Sequence, residues 1–144
     1  MQVEKPCTSK DWSDYYNLRW RILRKPLGLN EGTEIDDELE DEAIHRMIKV
    51  ENKIVGVGRL HFINNNIAQI RYMAIDHNFR GKGFGKVILD EFIKISKTEN
   101  IEKIILYARE SVLGFYEKLG FSRVKKAHKL ENIQHFLMER TNNY

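Results

Sequence analysis

Cysteine is almost absent from this chain: Cys7 is the only one in 144 residues, which excludes an internal disulfide and any cluster of metal-binding thiolates. Proline is nearly as scarce, with two residues, and no linker, repeat or low-complexity tract divides the sequence. No apolar run approaches the length of a membrane span. Charge of one sign is lacking too, and a formal net charge of +3 is too small to argue for a nucleic-acid partner by itself. Met1 to Cys7 already carries Glu4 and Lys5 and has no apolar leader segment. These absences lead us to expect one soluble, cytoplasmic domain over residues 1–144, long enough to bury a real core.

What is present reads as alternating strands and helices. Residues 11–25 have helical spacing, with Trp12, Tyr15, Tyr16, Arg19, Ile22 and Leu23 on related faces and Pro26 just beyond. Residues 31–42 hold Glu31, Glu34, Asp36, Asp37, Glu38, Glu40, Asp41 and Glu42 without one basic residue. The period then changes. Residues 47–50, 54–63 and 67–75 form three expected strands, separated by polar turns at Glu51-Asn52-Lys53 and Asn64-Asn65-Asn66. Helices are expected over 84–96 and 111–119, the second with Val112, Phe115, Tyr116 and Leu119 as its apolar face, and strands over 101–106, 121–124 and 133–139. Strands interleaved with helices in this order indicate an α/β fold around a mixed sheet.

The most informative segment is a strand end followed by Arg80-Gly81-Lys82-Gly83-Phe84-Gly85-Lys86 and an amphipathic helix. Glycines at 81, 83 and 85 remove Cβ atoms where an anion can approach a helix start, with its unpaired N–H groups and positive dipole end. Arg80, Lys82 and Lys86 add cationic side chains. A dinucleotide fingerprint requires glycine where Lys86 stands, and a Walker loop requires glycine at 80 and Ser or Thr at 87, where the chain has Arg80 and Val87. Both are excluded, leaving another di- or polyphosphate loop or a plain strand-to-helix turn.

Arg80-x-x-Gly83-x-Gly85, entered from a strand and opening a helix, resembles the acetyl-coenzyme A loop of the GNAT (GCN5-related N-acetyltransferase) superfamily. Phe115-Tyr116-Glu117-Lys118-Leu119-Gly120-Phe121 resembles that family's later helix and strand start, and the order of elements matches from about Lys53 to Phe121. The resemblance implies the acyl-CoA N-acyltransferase fold: a central, mainly antiparallel twisted sheet flanked by helices, splayed beside the strand ending near Ile75. It implies a pantetheine arm along Met73, Ala74 and Ile75, pyrophosphate on the backbone from Arg80 through Gly81, Lys82, Gly83, Phe84 and Gly85 to Lys86, and direct attack of an amine on the thioester. Tyr116 stands where the family places the acid that protonates the departing thiolate; its other reading is a core aromatic. Cys7 lies outside both motifs and is not taken as a nucleophile. Tyr107 occupies a position where relatives often have asparagine, which leaves a side-chain contact to the arm in question. A non-catalytic acetyl-CoA sensor of the same fold is the alternative function.

No single base stands out among Glu34, Asp37, His45, His61 and Glu110. Glu34, Asp36, Asp37 and His45 are the candidate acceptor-binding residues, the acidic run being either a lip that attracts cationic amines or a solvated face. Lys125, Lys126, His128 and Lys129 read as a basic hairpin loop rather than a nucleic-acid site, for no aromatics interleave them. The partner expected is a small-molecule or peptide amine, without nucleic acid or membrane, and a homodimer is left open. None of the five histidines pairs with another at metal-ligand spacing on one helix, so no metal is expected. Acetyl-CoA binding should therefore survive chelator treatment in calorimetry; loss of binding restored by zinc is the contrary result.

Overall fold

The first helix begins where Thr8 can cap it. In the computed structural model, which describes residues 2–142, the Thr8 side chain accepts the Asp11 N–H at 3.0 Å, and the Asp11 carboxylate accepts the Thr8 N–H at 3.3 Å. This reciprocal cap starts α1 at Ser9, and α1 (Ser9–Leu23) ends just before a 3-10 turn at Lys25–Leu27 that contains Pro26. The helix is thus shifted two residues toward the N-terminus from the expected 11–25.

The strands are β1 (Val3–Glu4), β2 (Ile44–Val50), β3 (Lys53–Phe62), β4 (Ile67–Ile75), β5 (Lys103–Arg109), β6 (Ser122–Leu130) and β7 (Ile133–Thr141), with α2 (Phe84–Thr98) and the short α3 (Leu113–Glu117) between them. They form one seven-stranded sheet in the order β1-β2-β3-β4-β5-β7-β6, antiparallel except for the β4–β5 pair. This is the mixed, mainly antiparallel α/β sheet expected from the sequence. Two-residue turns with both residues left-handed, Glu51-Asn52 and Glu131-Asn132, close two of the hairpins.

Several boundaries differ for physical reasons. The basic residues at 125–129 lie within β6, paired to β7, and not in a hairpin loop; β6 is an edge strand, so lysines suit its exposed side. The expected helix over 111–119 is a 3-10 turn at Glu110–Val112 followed by α3. Its buried residues are Leu113 and Tyr116, while Val112 and Phe115 are exposed, so the apolar face is rotated from the one expected. The strand expected over 101–106 runs from Lys103 to Arg109.

The two faces of the sheet are packed differently. On one, α2 lies close over Gly56 and Gly58; a Cβ at Gly58 would come within 2.7 Å of Met73 Sδ and 2.8 Å of Phe92. On the other, Tyr15, Leu18 and Ile22 of α1 pack on Met47, Ile54, Val57 and Ala74. β4 carries a bulge: Val57 pairs with Ala74 and Arg59 with Arg71, so Tyr72 and Met73 together oppose Gly58. Tyr72 takes φ 58°, and it and Arg71 both engage groups on the α1 side.

That side holds a charged cluster, built largely from the segment between α1 and β2. Arg19 and Arg59 are fully buried. Glu40 Oε1 accepts from Arg19 at 2.8 Å and from Arg59 at 2.7 Å, while Asp37 takes both terminal nitrogens of Arg59 and one of Arg71. Arg59 and Arg71 are direct cross-strand partners, a repulsive pairing that Asp37 neutralises by bridging them. The Nε–H groups of Arg19 and Arg59 find no acceptor, but both guanidinium groups lie against the Tyr72 ring, 4.0 and 4.9 Å from its centre. No helix among the described residues is long and apolar enough to cross a membrane.

Burial alone would raise the Glu40 carboxyl, but the Arg19 charge and the bonds from Arg59 and Arg19 hold it below its ordinary value. A carboxyl depressed in the folded state stabilises above its unfolded value, about 4.3 for glutamate, and that stability is lost as pH falls through the folded value. Glu40→Ala leaves two buried guanidiniums short of a partner and should cost about 3–5 kcal/mol at pH 7. Urea unfolding at pH 7 and at lower pH should show the deficit shrinking on acidification; an equal deficit at both would contradict the charge pairing.

Candidate functional site

β4 and β5 are paired only at Ile67–Lys103, Ala68–Ile104 and Gln69–Ile105. Beyond these residues no register pair joins them, so the β5-facing edge of β4, including Met73, Ala74 and Ile75, borders an opening rather than a strand. Backbone N–H and C=O groups on such an edge can serve an extended ligand as an additional strand would.

At the end of β4 the chain turns into the glycine loop. Asp76 accepts the Asn78 N–H at 3.0 Å and anchors a 3-10 turn at His77–Phe79, and Arg21 ties the same carboxylate to α1 at 3.4 Å. Gly81 and Gly83 take φ 75° and 86°, a left-handed backbone that disfavours other residues. A Cβ at either would meet nothing within 4 Å, so the space above this backbone is open to a ligand. Gly85 serves a different purpose: its Cβ would press on Phe115 Cζ at 3.1 Å. Gly83 is the N-cap of α2 and supplies no side-chain cap, which leaves first-turn N–H groups of a 15-residue helix to an incoming anion. Phe84 is buried against Phe79. Lys82 lies over the Phe79 ring, Lys86 is paired with Asp90 at 2.7 Å, and Arg80 is exposed. Backbone donors with flanking cations beside an open strand edge fit a diphosphate ester carrying an extended arm.

Tyr116 projects from α3 into the core on the α2 side of the sheet, edge-on to Phe115 and Phe121. Its hydroxyl makes no hydrogen bond to the described residues. Burial pushes the phenol up to about 12, so it holds its proton at working pH.

The candidate acceptor residues are more heavily engaged than expected. Asp36 accepts from Arg24, Arg71 and the Tyr72 hydroxyl, and Asp37 is held well below the usual carboxylate range by Arg59 despite partial burial. Glu34 turns its carboxylate onto the Gly32 N–H at 2.6 Å. His45 lies beneath α1 with both ring nitrogens occupied, by the Tyr15 hydroxyl at 2.8 Å and the Glu40 carbonyl at 2.7 Å, and burial lowers it against the opposing pull of Glu40. Of the base candidates, His61 is buried beside Arg59 and lowered in the same way, and Glu110 is exposed. Within the acidic run, Asp36, Asp37 and Glu40 are thus counterions of an arginine cluster, while Glu31, Glu38, Asp41 and Glu42 are exposed. Sequence reading missed the partners Arg24, Arg59 and Arg71, although Arg19 on the apolar face of α1 was a signal that a charge had to be satisfied inside.

A concavity of about 460 Å³ lies between Trp12, Tyr16, Glu40 and His45. It shares no residue with the loop or the strand opening, and its Glu40–His45 floor is already committed to the arginine cluster. No group of three or more His, Cys, Asp or Glu side chains is placed to hold a metal among the described residues.

The family described as the Acetyltransferase (GNAT) family matches residues 9–121. A provisionally named acetyltransferase of Bacillus subtilis (strain 168) is 28% identical over 140 residues, covering 96% of this chain and 95% of that one. Among solved structures, an acyl-CoA N-acyltransferase from Pseudomonas aeruginosa superposes with a TM-score of 0.81 at 18% identity, covering 97% of each chain. An aminoglycoside 6'-N-acetyltransferase complexed with coenzyme A superposes with a TM-score of 0.82 at 13% identity over 98% of this chain and 97% of that one. At such identities the two structures establish the fold.

Gly83 offers a clean test of the loop. Gly83→Ala meets no neighbour and carries only the backbone penalty of about 1–2 kcal/mol, so acetyl-CoA binding should persist in weakened form. Gly83→Glu adds a carboxylate facing the phosphates and should abolish binding while circular dichroism stays native. Equal calorimetric affinities for the two variants would show that the loop does not hold the anion.

Proposed function

The chain belongs to the GNAT acetyltransferase family, and on that premise we propose that it transfers the acetyl group of acetyl-CoA to a primary amine of a small molecule or peptide, both substrates being held together on one domain in the cytoplasm. The observation that carries this reading is the meeting of a glycine-opened, uncapped α2 N-terminus with the open edge of β4. The backbone from Arg80 to Lys86 binds the pyrophosphate, and the edge at Met73, Ala74 and Ile75 aligns the pantetheine arm. When bound, acetyl-CoA supplies the acyl group and a thiol leaving group.

Tyr116 then holds a proton ready for the sulfur. As the amine nitrogen formed its bond to the carbonyl carbon, the carbon–sulfur bond would break with the phenol proton passing to the thiolate; the amine's surplus proton would leave to solvent, and solvent would restore the phenol's proton. A phenol raised by burial to about 12 keeps its proton in the ground state and offers it, as a hydrogen bond, to the negative charge that develops on sulfur in the transition state. Tyr107 is exposed, with its ring 5.3 Å from that of His128.

Tyr116→Phe removes one hydroxyl and keeps the ring against Phe115 and Phe121. Acetyl-CoA affinity should be unchanged, while kcat falls by about 10²-fold with KM steady. A thiol-release assay with mixed amines measures this; full activity in the variant returns Tyr116 to the core, and acetyl-CoA binding without amine-dependent release in the parent indicates a sensor.

A further inference from the structure

On the α1 side of β5 and β7, beyond the part of the sheet that α1 covers, lies a group of cations that the loop does not use. Along β5, Ile104, Leu106 and Ala108 join the core under α2, so Ile105, Tyr107 and Arg109 face the other way. Arg109 is the register partner of His135, which is buried, and Arg109 donates to the Leu23 carbonyl at 3.1 Å. That same carbonyl accepts from Arg24 at 3.2 Å, so two guanidiniums converge on the end of α1.

Arg24 has a counterion in Asp36 at 3.0 Å. Arg109 and Arg80 form no ion pair among the described residues. Burial, then the charges of Arg24 and Arg80, lower the Arg109 guanidinium, and no carboxylate offsets them. A half-buried cation among cations is costly unless an anion completes it. His135 adds directionality. Its Nδ1–H donates to the Ile133 carbonyl at 3.0 Å, leaving Nε2 as the ring's remaining polar atom, and its ring stacks on His128 at 4.7 Å. Of the acidic run, Asp36, Asp37 and Glu40 are committed to Arg19, Arg24, Arg59 and Arg71.

We propose that Arg109, backed by Arg24 and with His135 beside it, is the specificity-determining site for an anionic group, carboxylate or phosphate, on the amine acceptor. The site rests on the acetyl-transfer reading and sharpens it. Arg109 and Tyr116 lie on opposite faces of the sheet beside the β4–β5 opening. An acceptor anchored by its anion at Arg109 therefore presents its amine from the α1 side, and the thiolate is protonated from the α2 side. Arg109 is a binding residue, not a proton donor.

The test uses matched acceptors with the full chain: glucosamine 6-phosphate against glucosamine, and alanine against alaninamide. The parent should prefer the charged member of at least one pair in KM by about 10-fold to 100-fold, the range for a hydrogen-bonded charge. Preference in the first pair assigns a phosphate, and in the second a carboxylate. Arg109→Gln should erase the preference, Arg109→Lys should restore part of it, and acetyl-CoA affinity should be unchanged in both. Amine acetylation without preference for either charged member overturns the anion site and leaves acetyl transfer standing. Loss of acetyl-CoA affinity in Arg109→Gln assigns the residue to the cofactor and equally overturns the site. Failure of the parent to bind acetyl-CoA overturns both readings.

Discussion

The left-handed backbone of Tyr72, φ 58° in the middle of β4, is the constraint on which the site depends. A bulky residue in this conformation costs on the order of 1–3 kcal/mol, and the surroundings hold it there. Its ring is flanked by the guanidiniums of Arg19, Arg24, Arg59 and Arg71, and its hydroxyl is bonded to Asp36. The bulge it creates accompanies the loss of pairing between β4 and β5 after Gln69. Without that divergence the edge of β4 would be satisfied by β5 and unable to receive a ligand.

The arginine cluster follows from the same constraint. Asp37 and Glu40 come from a segment with no helix or strand of its own, and their bonds to Arg19, Arg59 and Arg71 pin that segment across α1, β3 and β4. Such buried pairs contribute little net stability over apolar packing, but each becomes costly to break once formed. Their value here lies in position, since they fix the wall beside the opening and hold Tyr72 in place. Asp36, Asp37 and Glu40 thus act as counterions to these arginines, and nearby Arg109 forms no ion pair among the described residues.

The sheet divides the chemistry between its faces. The α2 side is mainly apolar around the phenol of Tyr116, which burial keeps protonated. The α1 side is densely charged and becomes open past the end of that helix. The proposed acid and the proposed acceptor site would therefore occupy different dielectric environments, each suited to its role. A dry pocket preserves the proton, and a half-wet cationic surface favours an anion.

The sequence alone determined the features set by local chemistry. The spacing of glycines between Arg80 and Gly85, and the apolar period of α2 after them, made the strand-to-helix glycine loop legible, because a left-handed backbone and an uncapped helix start are properties of a few consecutive residues. Phe115 to Phe121 identified the second motif and Tyr116 with it, although the 3-10 turn before α3 rotates the buried face away from the one that helical spacing indicates. Tertiary structure alone decided the rest. Arg59 and Asp37 lie 22 residues apart, Arg71 and Asp37 lie 34 apart, and Arg109 meets Leu23 across 86. Whether a carboxylate is a free lip or a counterion depends on which cation folding brings against it, and no local pattern records that choice.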